Sequence, residues 1–251
     1  MTLIELSAFQ YAFAFFALFL GGLVKGTVGI GMKAISLGLL ATVVPLPVAI
    51  ALLIIPGILA NTWQVIGGGA LLDSIKRIWT LLLACCVGVW LGAEVLVIVN
   101  TQYLTIGLGV LLGTYAAYAL FAPRIPSPGR HETWMSPTIG TLNGLAAGMT
   151  GSDVIPGVPY LQTLGLTRDE LVKAMGLLFL TASFMIAFAF QQKGLLNGQL
   201  AFSSLISAAP ALFGYYLGAK IRQRIPEAQF RQVLLVSLLL LGFYIVIRNT
   251  V

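Results

Sequence analysis

The sequence predicts an all-α, polytopic transmembrane helical bundle. Three observations predict it: the composition, the spacing of the apolar runs, and the placing of basic residues between them. Of 251 residues, 59% are hydrophobic and 9% charged, against roughly 25% charged in a soluble domain. No soluble fold of this length can cover so much apolar surface, so lipid is the solvent for most of it. The net charge is +6, from 14 Lys+Arg and 8 Asp+Glu. These basic residues sit in short loops between apolar runs and form no cluster interleaved with aromatics, which argues against nucleic acid as a partner.

Apolar runs of about 20 residues mark spanning helices. Three fall in the first half, at 46–66, 78–99 and 103–121, and three in the second, at 170–190, 199–218 and 230–246. Pro45 and Pro47 break the chain before the first run, and Pro56-Gly57 and Pro210 predict kinks within helices, which a bilayer tolerates where neighbours satisfy the freed backbone groups. Residues 8–44 and 136–164 do not read as simple spans. The first is interrupted at 25–33, by Lys25-Gly-Thr-Val-Gly-Ile-Gly-Met-Lys33, and the second at 148–153, by Gly148-Met-Thr-Gly-Ser-Asp153, with Pro156 and Pro159 beyond. A Pro-rich linker with Arg124, Arg130, His131 and Glu132 separates the halves. The expected organisation is a membrane repeat at 1–121, a cytoplasmic linker at 122–135 and a second membrane repeat at 136–251. Residues 1–10 lack the basic start and small-residue cleavage site of a secretory signal, so the first apolar run is expected to be retained.

The halves resemble each other. Gly88-Val-Trp-Leu-Gly92-Ala93 returns as Gly214-Tyr-Tyr-Leu-Gly218-Ala219, and Gly21, Gly22 and Gly29 have the spacing of Gly140, Thr141 and Gly148. Charge then bears on topology. If each interrupted segment crosses once, the basic residues divide six against six. If each is a hairpin returning to its starting side, one side collects Lys76, Arg77, Arg124, Arg130, Arg168, Lys173, Lys220, Arg222, Arg224 and Arg231, and the other only Lys193 and Arg248. The second count is a strong positive-inside bias. An odd number of crossings per half then makes two inverted repeats, each a broken hairpin segment plus three spanning helices, with glycine-rich tips meeting near the midplane.

The breaks carry the candidate chemistry. Backbone leaving a helix exposes amides, and helix N-termini attract anions. Gly26, Gly29, Gly31, Gly148 and Gly151 shape such a site; Lys25 and Lys33 supply charge; Thr27, Thr150 and Ser152 supply hydroxyls. The alternative is that the glycines serve close helix packing and the lysines snorkel to an interface. Asp153 either pairs with Lys25 or Lys33, carries a proton coupled to transport, or caps the next helix. Asn61 and Gln64 lie inside a span and face a polar path, while Thr181 and Ser183, at the matching place, either join them or bond their own helix backbone. Glu94 is expected at the outer surface. Cys85 and Cys86 are adjacent on a helix, point to different faces and form no mutual disulfide. The one histidine, His131, lies in a loop. No metal site, cofactor or catalytic constellation follows from these residues, so no enzyme is expected.

The chain resembles the TauE/SafE sulfite-exporter family of membrane transporters. The resemblance is carried by the breaks at 21–31 and 140–151, by Gly-Tyr-Tyr-Leu-Gly-Ala-Lys-Ile-Arg-Gln-Arg-Ile-Pro at 214–226 with Arg231 beyond, and by Met-Thr-Gly-Ser-Asp-Val-Ile-Pro-Gly-Val-Pro-Tyr-Leu-Gln at 149–162. In the first repeat Lys33 stands where the family usually has consecutive glycines. The resemblance implies transport, often export, of small sulfur-containing anions such as sulfite, thiosulfate or organosulfonates. The expected function is therefore a secondary transporter of such anions by alternating access, with Asp153 as the proton-coupling candidate. An anion channel, or a transporter of a non-sulfur organic anion, is the alternative. The expected setting is the inner (plasma) membrane, as a multi-pass protein whose partners are the anion and the bilayer. A homodimer is compatible with the sequence.

Overall fold

The structure, a computed structural model, describes residues 6–66, 71–121, 126–222 and 227–250, with backbone alone for 227–231. Among the described residues all regular elements are helical. In chain order they are α1 (Ala8–Val28), α2 (Met32–Leu40), α3 (Leu46–Leu52), α4 (Ile54–Ile66), α5 (Leu71–Ile98), α6 (Thr101–Phe121), α7 (Glu132–Thr150), α8 (Gly157–Thr163), α9 (Arg168–Gln192), α10 (Gly198–Ile221) and α11 (Glu227–Thr250). Six of them, α1, α5, α6, α9, α10 and α11, are long and apolar enough to cross a membrane, and α3 with α4 makes a seventh if that bent pair is one span. Large apolar side chains such as Phe16, Trp63, Leu83, Phe213 and Leu240 face outward, as a lipid-facing surface requires. The protein is a multi-pass membrane protein.

The spans agree with the sequence reading except at two helix starts and one break. The run at 46–66 is not one helix: α3 and α4 meet at 43°, and the break falls at Leu53, ahead of the expected Pro56-Gly57. Pro56 has no N–H to offer the Leu52 carbonyl. Ser204 of α10 fills the gap, donating to Leu52 O at 3.1 Å and accepting from Ile55 N at 3.1 Å. The run read from residue 78 starts at Leu71 instead. Ile78 has non-helical angles (φ −123°, ψ 16°), and the turns before it, with Asp73, Lys76 and Arg77, extend α5 beyond its apolar stretch. Glu132–Met135, read as linker, already belongs to α7, whereas 122–125 lie outside the described residues. Pro210 does not interrupt α10.

Both interrupted segments are hairpins that return to the end where they begin. Along the first, Ser36 Oγ donates to Ala17 O at 3.0 Å, and Gln10 Nε2 donates to Val43 O at 3.1 Å. Along the second, Gly157 N donates to Asn143 Oδ1 at 2.9 Å, and the Ser136 and Tyr160 hydroxyls are hydrogen-bonded at 2.5 Å. One end of the bundle holds Arg248 on Thr42 O at 2.7 Å, Gln102 on Asn249 O at 2.7 Å, and the Lys193–Glu94 ion pair. The opposite end holds Arg77 paired through both guanidinium arms with Glu132.

Glycine allows the closest packing in the bundle. On α5, a Cβ at Gly88 would lie 2.2 Å from Thr141 O of α7, and one at Gly92 2.3 Å from Leu145 O. On α10, a Cβ at Gly214 would lie 2.1 Å from Phe19 O of α1, and one at Gly218 2.1 Å from Leu23 O. Any side chain there collides with neighbouring backbone, so these helices approach only through small residues. The contacts correct one internal alignment. Gly22, Gly26 and Gly29 occupy the places that Gly144, Gly148 and Gly151 occupy in the second hairpin, about one helical turn from the match read in sequence.

Candidate substrate site between two helix breaks

Each long hairpin helix ends the same way. Gly29 (φ +89°) and Gly151 (φ +79°) close α1 and α7 in the left-handed conformation, with N–H groups on Lys25 O at 2.7 Å and Ala147 O at 2.8 Å. Glycine is the residue that takes this conformation without steric cost. Beyond Gly29 the chain turns again at Gly31 (φ +96°), which caps α2 with no side-chain hydrogen bond. The tips do not merely touch at the midplane. Gly26 packs on Tyr215 and Ala219, in the last turns of α10, and Gly148 on Val89 and Ala93 of α5, so the hairpins pass each other. They are joined where they cross, by an ion pair between Lys33 of α2 and Asp153 of the second break.

Around that crossing lies a small cavity of about 20 Å³, lined by Lys25, Gly31, Met32, Lys33, Gly57, Asn61, Asp153, Val154 and Phe179. Such a volume holds about one water. Lys25 is buried, its ammonium donates to Asn61 Oδ1 on α4, and it lies 5.7 Å from the centre of the Phe179 ring on α9. Lys33 and Asp153 are also buried. A carboxylate and two ammonium groups at this depth are costly unless each has polar partners, and here each has one. On the Glu94 side, Leu37, Ile50, Leu53, Ile54 and Ile186 pack over Lys33 around a void of about 10 Å³, an apolar plug. On the Arg77 side, a cleft of about 480 Å³ opens between α5 and α9, lined among others by Asp73, Arg77, Thr167, Asp169, Glu170 and Lys173. Gln64 lies one turn beyond Asn61 toward that cleft, its Nε2 on Val172 O at 2.9 Å and its chain against Gly176.

The crossing thus gathers Lys25, Lys33, Gly31, Asn61 and Asp153 from the expected set. Of the roles open to Asp153, it takes the pairing with Lys33; it does not cap α8, whose first N–H is bound by Asn143 instead. Other expected residues are committed elsewhere. Thr27 donates to Val24 O at 2.8 Å and Thr150 to Ala146 O at 2.7 Å, while Ser152 is buried with its N–H on the Thr150 hydroxyl. Gly26 and Gly148 serve helix contacts, and Gly29 and Gly151 terminate helices. Gln64 stands outside the cavity, and its buried Oε1 has no hydrogen-bond partner among the described residues. Ser183 bonds its own helix at Phe179 O, 2.7 Å away. Sequence reasoning missed Phe179, which carries no signal among many membrane phenylalanines. It also missed Asn143, whose signal was available, a lone amide at depth in an apolar hairpin. No group of three His, Cys, Asp or Glu side chains gathers among the described residues.

Fold and site together define a multi-pass integral membrane protein with a charged, polar crossing point in its interior. The chain belongs to the sulfite exporter TauE/SafE family, a family of membrane transporters: the family model matches residues 14–245. No curated protein and no solved structure matches the chain.

Proposed function

We propose that the protein is a secondary transporter that exports a small sulfur-containing anion, such as sulfite, thiosulfate or an organosulfonate, across the plasma membrane by alternating access. The observation that carries this reading is the burial of two ammonium groups, Lys25 and Lys33, beside an amide at the crossing of two helix breaks. A buried cation with only one carboxylate nearby is a place for an exchangeable anion. The N-terminal amides of α2, whose cap Gly31 makes no side-chain hydrogen bond among the described residues, add partial positive charge on the same side.

In this reading the two halves are inverted repeats. The parallel pairings of α1 with α10 and α5 with α7 support it, because they relate each hairpin to a helix of the other half by the same glycine contacts. The conformation described is closed, with a plug above the site and a cleft below. The cleft is taken as cytoplasmic, a reading that the basic residues at its end support. Loading then needs α4 and α9 to part at Gln64 and Val172, and release needs the plug at Leu37, Ile50 and Ile186 to loosen. Asp153 is the group placed to exchange a proton during the cycle.

The test is counterflow in proteoliposomes. Internal unlabelled sulfite should accelerate uptake of external labelled sulfite, with saturation. Uptake that neither saturates nor responds to internal sulfite would identify an anion channel instead.

A further inference from the structure

We propose that Asp153 is a tethered stand-in for substrate charge. The site then loads either a monoanion with Asp153 ionised, or a dianion together with one proton taken up by Asp153. The inference rests on the anion-site reading above and specifies the charge class of its substrate.

Among the described residues, the cavity at the crossing is lined by two ammonium groups, one carboxylate and otherwise uncharged side chains. Empty, it carries one net positive charge. A monoanion on Lys25 balances it while the Lys33–Asp153 pair stays intact. A dianion leaves one excess negative charge in a buried, low-dielectric place, which is expensive. Protonation of Asp153 removes that excess, and it frees Lys33 for a second anionic oxygen where the carboxylate now sits. The one bond made is O–H on Asp153, the proton coming from water, and the loaded site is neutral in both cases. The cavity of about 20 Å³ holds about one water, so either anion loads only once α4 and α9 have parted.

The groups facing Asp153 are few. Lys33 on α2 contacts it; Lys25 on α1 and Cys85 on α5 are within electrostatic reach; α4 and α9 present the uncharged Asn61 and Phe179. A pH effect on anion binding could therefore arise at Lys25 or Cys85 as well, and the choice of probes separates them. Sulfate stays a dianion and methanesulfonate a monoanion across the physiological pH range. Titration of Lys25 or Cys85 acts on both probes, whereas titration of Asp153 acts on sulfate alone.

The experiment is equilibrium binding of labelled sulfate and labelled methanesulfonate to the purified full-length protein as a function of pH. In the unmodified protein, sulfate affinity should fall with rising pH about tenfold per unit more steeply than methanesulfonate affinity, as uptake of one extra proton demands. In Asp153→Asn, the two pH profiles should become parallel and methanesulfonate affinity should fall by about tenfold or more. In Lys33→Gln/Asp153→Asn, which removes the pair as a unit, the profiles should also be parallel, with methanesulfonate bound more tightly than sulfate at every pH. Parallel pH profiles for the two probes in the unmodified protein, or a sulfate profile still steeper than that of methanesulfonate in either variant, would overturn the inference. So would binding of neither probe while sulfite counterflow is intact. Absence of both binding and counterflow would instead sink the anion-site reading itself.

Discussion

In the first hairpin, α1 ends at Gly29, the chain turns twice and α2 begins with Lys33 in its first turn. In the second, α7 ends at Gly151, the chain turns once and Asp153 precedes the short α8. The backbone device is shared. Both long helices close on a left-handed glycine, and both press earlier glycines against a partner helix. The charge is not shared. The first hairpin brings Lys25 and Lys33, the second only Asp153. Glycine sets where the chain may leave a helix inside a membrane, and ionisable side chains set what the gap is for. Shared backbone geometry thus coexists with an asymmetric arrangement of charge, two lysines against one carboxylate, which is what the proposed anion site requires.

The sharpest way to break this comparison is to remove one side of the charge. Lys33→Met leaves Asp153 buried without its partner and should cost about 3–5 kcal/mol, read as a lower unfolding temperature in detergent. Lys33→Met/Asp153→Leu should recover most of that stability while the steeper pH dependence of sulfate binding stays lost, which separates the pair's role in function from any role in folding. Next in size are the helix-packing glycines. Gly26→Ala and Gly148→Ala place a Cβ 2.1 Å from Tyr215 O and 2.3 Å from Val89 O. Each should destabilise by about 1–3 kcal/mol, and closely matched losses would support equivalence of the hairpins. Ser204→Ala removes the group that satisfies Leu52 O and Ile55 N at the α3–α4 break. It should cost about 1–3 kcal/mol by the same thermal measurement.

The smallest effects belong to the two terminating glycines. Gly29→Ala meets nothing within 4 Å, so its cost should be the left-handed strain alone, about 1 kcal/mol. Gly151→Ala carries the same strain and also crowds Ile50 at 2.8 Å and Leu37 at 3.0 Å. It should therefore lose more than Gly29→Ala. Equal losses would show that the plug yields freely.

Much of this was legible in the sequence, and for physical reasons. A chain this apolar has no soluble alternative, and its spans are fixed by bilayer thickness. Lys25, Lys33 and Asp153 stood out because charge at membrane depth requires partners. Which cation takes Asp153 was not legible. Lys25 and Lys33 flank the same break, and only the crossing of chain segments 120 residues apart decides between them. The glycine register was off by a turn because neighbouring glycines at 21 and 22 fit either alignment; the backbone contact of Gly22 with Ala211 singles out one. Thr27 and Thr150 read as donors to a ligand, yet a hydroxyl in the last turn of a helix finds its own carbonyls first. Ser204 gave no sign that it repairs a break in another helix 152 residues away.

The account stands most directly on Lys25, the buried cation held by an amide and an aromatic face rather than a carboxylate. Equilibrium binding of labelled sulfite to purified protein, compared between the unmodified chain and Lys25→Met, tests it. The expected result is saturable binding in the first and a loss of about tenfold or more in affinity in a second protein that remains folded. Equal affinity in the two would contradict it.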